Sequence, residues 1–133
     1  MPTRCSYGLI GRPLGHSFSP RYFSELFDRL GVDASYDSYE LQRIEELPEL
    51  LATHPSLRGL NVTLPYKREV LRYVDACSPE VEHLQAANVL CIERTLSGYP
   101  YITAHNTDVW GFYHSLLPLL REERPHTWVF GTG

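Results

Sequence analysis

Strand-like and helix-like patterns alternate along this chain, and this alternation limits the fold more than any other feature. Apolar runs typical of strands occur three times in the first half, at residues 4–10, 34–41 and 57–63. Amphipathic stripes with helical spacing follow these runs, and a Ser97-Gly98 turn later joins the runs 87–93 and 99–103 as in a hairpin. The sequence therefore predicts an α/β fold, a three-layer sandwich whose mixed sheet is mostly parallel and includes one antiparallel hairpin.

Serine and proline residues indicate where the helices begin and end. Ser19 is a suitable N-cap for a helix with proline at its first position, and Ser78-Pro79 repeats this signature. Pro65 should open a short helix after the third strand, whereas Pro118 should end or kink the last helix.

Composition excludes several classes of function. The 133 residues carry a net charge of −4 and show no basic cluster, so neither a nucleic acid nor an anionic membrane is expected as a partner. The apolar runs are too short to span a membrane, and the first residues lack a signal core, which predicts a cytoplasmic protein. Three cysteines without CxxC spacing and six histidines without ligand spacing predict reduced thiols and no metal site.

The last residues predict the start of a second domain. An apolar strand at 127–130 runs into Gly131-Thr132-Gly133, which matches the first half of a dinucleotide-binding fingerprint. We therefore expect one domain over 1–124, and the first strand and glycine turn of a nucleotide-binding domain over 125–133. The alternative is a flexible C-terminal tail.

Lys67 is the only lysine in the chain, and it follows the third predicted strand. Lysine is the basic side chain whose pKa a protein can tune toward neutrality, whereas arginine keeps its proton. Open α/β sheets place their ligands at the carboxyl ends of strands. Lys67 is therefore a candidate catalytic residue, although a solvated surface lysine is the alternative.

Two serines beside a helix start could hold a carboxylate. Ser17 and Ser19 place two hydroxyls next to the free N–H groups and positive dipole of a helix N-terminus. Alternatively Ser19 only caps its helix, which leaves Ser17 free for a ligand.

Further polar side chains fall where loops meet the predicted sheet. Asn61 and Thr63 accompany Lys67 at the end of the third strand. Asn88, early in the next strand, needs partners for its amide, and either a ligand with hydroxyls or a neighbouring loop could supply them. Asp108 lies at or just inside a helix N-terminus, which favours its carboxylate form, and it could also be a plain N-cap.

A contact between Lys67 and Asp108 would give the chain a chemical function. The pair could position and transfer a proton at a substrate hydroxyl or ketone. Together with a carboxylate-binding end and several amide or hydroxyl groups, it would suit a small polyhydroxylated acid. Next to a dinucleotide fingerprint, such a site would serve hydride transfer.

The sequence from Tyr7 to about Leu120 resembles the N-terminal, substrate-binding domain of the shikimate dehydrogenase family. The motifs that carry the resemblance are Gly-His-Ser-Phe-Ser-Pro at 15–20, Asn-Val-Thr-Leu-Pro-Tyr-Lys at 61–67, Ala-Ala-Asn at 86–88 and Asn-Thr-Asp at 106–108. The terminal Gly-Thr-Gly is similar to the start of that family's cofactor loop. The chain departs from the family at Val89, where Thr or Ser is usual, and at Ala104, where Gly is usual.

The resemblance implies the reversible, NADPH-dependent reduction of 3-dehydroshikimate to shikimate in aromatic amino-acid biosynthesis. It implies proton transfer by Lys67 with Asp108, and a supporting role for Asn61. The implied substrate contacts are Ser17 and Ser19 for the carboxylate, and Thr63, Asn88 and Asp108 for ring hydroxyls. Gly131 and Gly133 would form part of the NADP site.

Two alternatives to this function stay open. One is a quinate/shikimate dehydrogenase, and the other is a non-catalytic module of the same fold that binds a small molecule. The 133-residue chain by itself should bind substrate but be inactive, because its NADP site is incomplete. The sequence does not indicate the oligomeric state.

Overall fold

The computed structural model describes residues 4–15, 17–120 and 125–131. The α-helices and strands are β1 Cys5–Gly11, α1 Ser19–Leu30, β2 Ala34–Glu40, α2 Leu47–Thr53, β3 Leu57–Val62, β4 Ala76–Cys77, α3 Pro79–Leu84, β5 Val89–Arg94, β6 Pro100–His105 and α4 Asp108–Leu120. Two 3-10 helices, Ile44–Glu46 and Glu69–Tyr73, precede α2 and β4.

The six strands form one mixed sheet in the order β2-β1-β3-β5-β6-β4. β1 pairs in parallel with β2 and β3, and β4 pairs in parallel with β6. β5 is antiparallel to both of its neighbours, so it alone runs against the other five strands. The predicted hairpin is confirmed as β5–β6, and the sheet is mostly parallel as predicted. The two-residue strand β4 was not predicted, because two residues carry no periodic pattern.

Helices cover the two faces of the sheet, as the three-layer prediction requires. One face packs against α2, α3 and the 3-10 helices, with a core that includes Ile10, Leu60 and Leu90. The other face packs against α1, where Leu9 and Tyr36 contact the aromatic side of that helix. Consecutive residues such as Leu9 and Ile10 enter different cores because side chains alternate along a strand.

Three helix boundaries differ from the predictions. Ser19 is not the N-cap of α1, because Phe18 occupies that position with helical backbone angles and no side chain caps the helix. No helix opens at Pro65; the chain turns there and a 3-10 helix begins at Glu69. Of the two outcomes predicted for Pro118, an end of α4 at this residue does not occur, since the helix continues to Leu120. Because α4 has no buried residue, water can hydrate the carbonyl that Pro118 leaves without a donor.

The strand predicted at 127–130 does not form. Residues 125–131 have no regular secondary structure, and Trp128, Val129 and Phe130 are more than four-fifths exposed. The run has the composition of a buried strand, but no strand of the described sheet pairs with it. None of the described helices combines the length and apolar character that crossing a membrane requires.

Candidate active site

Loops at one end of the sheet bring the predicted site residues together. The carboxyl ends of β1, β3 and β6 lead into the segments that carry Ser17, Lys67 and Asp108. Because β5 runs in the opposite direction, its start, just after Asn88, lies at this same end. This is the edge at which open α/β sheets bind ligands.

Lys67 and Asp108 are in contact, although 41 residues separate them in the sequence. Lys67 Nζ donates to Asp108 Oδ2 at 2.6 Å. The Lys67 and Asp108 side chains are 32% and 53% exposed, so a ligand can reach both. A charge-assisted contact this short holds the two groups at one point of the cleft.

Asn88 connects the start of β5 to the start of α4. Its Nδ2 donates to Asp108 Oδ1 at 3.0 Å and to Thr107 Oγ1 at 2.8 Å, while its Oδ1 accepts the Thr107 N–H at 2.8 Å. Of the two alternatives for its amide, the neighbouring loop supplies the partners in this structure. Asn88 lies just before β5, not within it as the sequence suggested. Its amide therefore holds the Asp108 carboxylate through the oxygen that Lys67 does not use.

Asn106 stabilises the same turn from within the protein. The residue is only 7% exposed. Nδ2 donates to Ala86 O at 2.9 Å, and Oδ1 accepts the Val109 N–H at 3.2 Å in the first turn of α4. Asn106 belongs to the Asn-Thr-Asp motif at 106–108, but its bond to Ala86 was not predicted from the sequence. These bonds place Asp108 at the positive end of the α4 dipole, which favours a carboxylate there.

Thr63 lies against Gly11, where β1 ends beside β3. The Thr63 N–H donates to Ile10 O at 2.9 Å, which continues the pairing of the two strands. A Cβ at Gly11 would collide with Thr63 Cγ2 and lie 2.9 Å from Leu64 O. Glycine at this position therefore lets the two segments approach closely and sets where the Thr63 side chain lies.

Replacing Gly11 with alanine should lower the free energy of unfolding by about 1–3 kcal/mol and displace Thr63, because the Leu64 carbonyl oxygen and the Thr63 and Leu14 side chains leave no room for the new methyl group. The matched control is Gly15→Ala in the following loop, where nothing lies within 4 Å of the added Cβ. The control should change stability by less than about 0.5 kcal/mol. Urea unfolding of both variants measures this, and equal stability would contradict the steric account.

Ser17 and Ser19 flank the start of α1 and are both half-buried. The Ser17 N–H donates to Leu14 O at 3.0 Å, and Leu14 N in turn donates to the Glu40 carboxylate at 2.9 Å. These bonds tie the loop to the end of β2. His16, between Gly15 and Ser17, lies outside the described residues. Since no side chain caps α1, neither hydroxyl is used at the helix N-terminus, where a ligand could meet both.

Asn61 contacts Tyr36 rather than Lys67. The Tyr36 hydroxyl donates to Asn61 Oδ1 at 2.7 Å across the intervening strand β1. Burial raises the pKa of Tyr36 to about 12, and a hydrogen bond from Ser19 opposes that rise. The phenol therefore keeps its proton, and remains a donor, at every pH near neutrality. No local sequence pattern indicated this pair.

The raised pKa of Tyr36 predicts a loss of stability at alkaline pH. The unfolded chain releases the phenol proton near the ordinary pKa of 10.0, and the folded chain only near 12. The contribution of the Tyr36 phenol to the free energy of unfolding is therefore complete below pH 10 and is lost as the pH rises through 12. In Tyr36→Phe, the loss of stability at alkaline pH should be smaller by on the order of 1 kcal/mol, after allowance for solvent screening. Urea unfolding across this pH range tests the prediction. If the free energy of unfolding falls with pH as steeply in the variant as in the wild type, the prediction is contradicted.

Two places in the chain do not join this site. Gly131 is exposed and belongs to no described helix, strand or turn, and Gly133 lies outside the described residues. A cavity of about 710 Å³ is lined by residues such as Arg72, Asp75 and Arg94. Arg94 ends β5 whereas Val89 begins it near the site, so this cavity lies at the opposite end of the sheet.

Comparison with known proteins identifies the family of this chain. The profile of the shikimate dehydrogenase substrate binding domain matches residues 9–90. NADP(+)-dependent shikimate dehydrogenase from Clostridium beijerinckii is 38% identical over 109 residues, which are 80% of this chain and 38% of that protein. The Pyrococcus abyssi enzyme is 38% identical over 130 residues, which are 96% of this chain and 46% of that protein.

Solved structures of shikimate dehydrogenases have a similar fold. Shikimate 5-dehydrogenase from Thermus thermophilus, solved in complex with shikimate, superposes with a TM-score of 0.72 at 30% identity, over 86% of this chain and 42% of that one. The chain thus spans about two-fifths of the length of the relatives that it matches. With a matching profile over more than half of its residues, this chain belongs to the shikimate dehydrogenase substrate binding domain family.

Proposed function

We propose that this chain binds shikimate and 3-dehydroshikimate, as the substrate-binding part of an NADP-dependent shikimate dehydrogenase. The observation that carries the proposal is the 2.6 Å contact of Lys67 with Asp108, held by Asn88 at the ligand-binding edge of the sheet. Relatives at 38% identity bear that enzyme's name. The reaction is the reversible reduction of the 3-dehydroshikimate ketone to a hydroxyl.

Lys67 and Asp108 transfer the proton of this reaction. The Lys67 ammonium group donates to the substrate oxygen at the carbonyl that becomes a hydroxyl, and in the reverse direction the pair accepts the hydroxyl proton. Asp108 Oδ2, at 2.6 Å from Nζ, orients the lysine and balances its charge. Asn88 holds the other carboxylate oxygen, so the pair keeps its geometry while a ligand enters and leaves.

The remaining polar groups recognise the substrate's other substituents. Ser17 and Ser19 donate to its carboxylate, which the positive N-terminal end of the 12-residue helix α1 also attracts. Thr63, Asn88 and Asp108 contact ring hydroxyls, with Asn88 using the free lone pair of its Oδ1. Asn61 supports this set from β3. Position at the sheet edge and the resemblance support these roles.

The end of the described chain does not form a nucleotide-binding turn. Residues 125–131 have no regular secondary structure and Gly131 is exposed, so no phosphate-binding turn is present among them. We therefore assign no NADP contact to the described part of the chain. That Gly131 and Gly133 begin a cofactor loop, and that the domains divide into 1–124 and 125–133, stay predictions.

Oxidation of shikimate by the full gene product tests the proposed activity. With shikimate and NADP, we expect NADPH to appear, and with quinate or NAD in their place we expect slower turnover. The 133-residue chain by itself should show no turnover. No activity of the full gene product on either acid would contradict the proposal and favour a binding module of the same fold. Fractionation and sizing of the same product would test the expected cytoplasmic location and determine the oligomeric state.

A further inference from the structure

Tyr36 is built rigidly into the face of the sheet that α1 covers. Its side chain lies in the smaller core, and the residue is 7% exposed. Its ring stacks on Phe23 of α1, with centroids 4.7 Å apart and an interplanar angle of 15°. A ring held this way has one place for its hydroxyl, because the core fixes both side-chain torsions.

The hydroxyl contacts only one end of the Asn61 amide. It donates to Oδ1 at 2.7 Å. An asparagine amide has an acceptor oxygen on one side and two N–H donors on the other, so this bond turns Nδ2 away from Tyr36. Among residues 4–15, 17–120 and 125–131, Nδ2 has no acceptor and is not one of the buried unpartnered atoms. The amide donors of Asn61 are therefore not fully buried and are available to a ligand.

Asn61 is a neighbour of several residues of the proposed site. Asn61 pairs with Leu9 on β1 and with Val89 on β5, next to Asn88. Thr63 follows two residues later, and strand alternation places its side chain on the same face as Asn61. Ser19, at the start of α1, is close enough to the Tyr36 phenol to oppose the rise in its pKa, and it completes the group on the α1 side. Asn61 thus lies between the proposed carboxylate contacts of α1 and the proposed hydroxyl contacts of β3 and β5.

We propose that Tyr36 is a positioning residue that fixes the Asn61 amide with its N–H donors toward the cleft, so that the site selects a ligand oxygen at this point. This inference rests on the proposed function. Without the phenol, the amide can rotate and present Oδ1 instead. The ligand oxygen, which needs a donor, would then face the carbonyl oxygen of Asn61. It would lose its hydrogen bond, and the two oxygens would repel each other.

A double-mutant cycle in the 133-residue chain tests the inference. Tyr36→Phe keeps the ring and its stacking but removes the hydroxyl. We expect it to weaken shikimate binding by roughly 3- to 10-fold, measured as Kd from amide shifts. In an Asn61→Ala background the same change should have no further effect, because the amide through which it acts is gone. Equal losses in the two backgrounds, or no loss in either, would overturn the inference.

The control is Tyr39→Phe, on the same strand but packed against the other core. It should leave the Kd unchanged within about twofold. Free protein gives a readout that needs no ligand, since the Asn61 side-chain NH₂ signals should shift and lose order in Tyr36→Phe. Unchanged signals would overturn the inference. If these signals change but wild-type protein does not bind shikimate, the orientation is upheld and the proposed function is not.

Discussion

Replacing Lys67 with alanine is expected to lower kcat for shikimate oxidation by the full gene product by about 10²–10⁴-fold, the range for a lost proton-transfer group. The reason is the geometry of the pair. Asp108 Oδ2 lies 2.6 Å from Nζ, and Asn88 holds its other oxygen, so the substrate oxygen meets one donor at a fixed point. Initial rates at saturating shikimate and NADP measure the effect.

Two further variants test whether Lys67 acts by transferring a proton or only through its positive charge. Lys67→Arg keeps a positive charge but gives up its proton far less readily, so it should remain at least about tenfold slower than wild type. Arg68→Ala removes the adjacent, exposed cation and should leave kcat nearly unchanged. Full activity of the arginine variant would show that only charge is needed. Wild-type turnover by Lys67→Ala would remove Lys67 from the mechanism.

Replacing Leu90 with alanine is expected to cost about 2–5 kcal/mol of unfolding free energy. Leu90 is fully buried in β5, where it pairs with Leu60 on one side and Ala104 on the other. The truncation leaves a cavity in the centre of the larger core, between the one reversed strand and the helices that cover it. Chemical denaturation monitored by circular dichroism gives the change in free energy.

Leu96→Ala is the matched control for this substitution. Leu96 lies in the β5–β6 turn and is fully exposed, so the same truncation should change stability by less than about 0.5 kcal/mol. A loss below about 1 kcal/mol for Leu90→Ala would mean that the centre of the sheet is not packed as described.

Most of the sheet could be predicted because its signals are local. Strand periodicity, the turn before Tyr99 and the Ser78-Pro79 signature each lie within a few residues, and the elements they predict are present. The apolar run at 127–130 is the exception. Its composition is that of a strand, but a strand also needs a partner edge, and composition does not reveal one.

Sequence motifs indicated candidate site residues, but they did not predict most of the contacts that these residues make. Sequence motifs singled out Lys67 and Asp108, which are in contact across 41 residues. They left open whether a ligand or a loop satisfies Asn88, and the Thr107 loop does so. The Tyr36 bond to Asn61 had no signal, because it depends on which strands are neighbours in the sheet. Contacts of this kind depend on the order of the strands in the sheet. Local sequence patterns limit the possible orders but do not determine which one forms.

Titration of the 133-residue chain with shikimate, followed by backbone and side-chain amide shifts, tests most directly whether this chain holds the substrate site. We expect saturable shifts centred on the proposed contacts, which are Ser17, Ser19, Thr63, Asn88 and Asp108. Lys67→Ala should weaken them, and the residues lining the cavity at the other end of the sheet, such as Arg72 and Arg94, should not respond. Shifts centred on that cavity, or no saturable shift at millimolar shikimate, would contradict this assignment of the site.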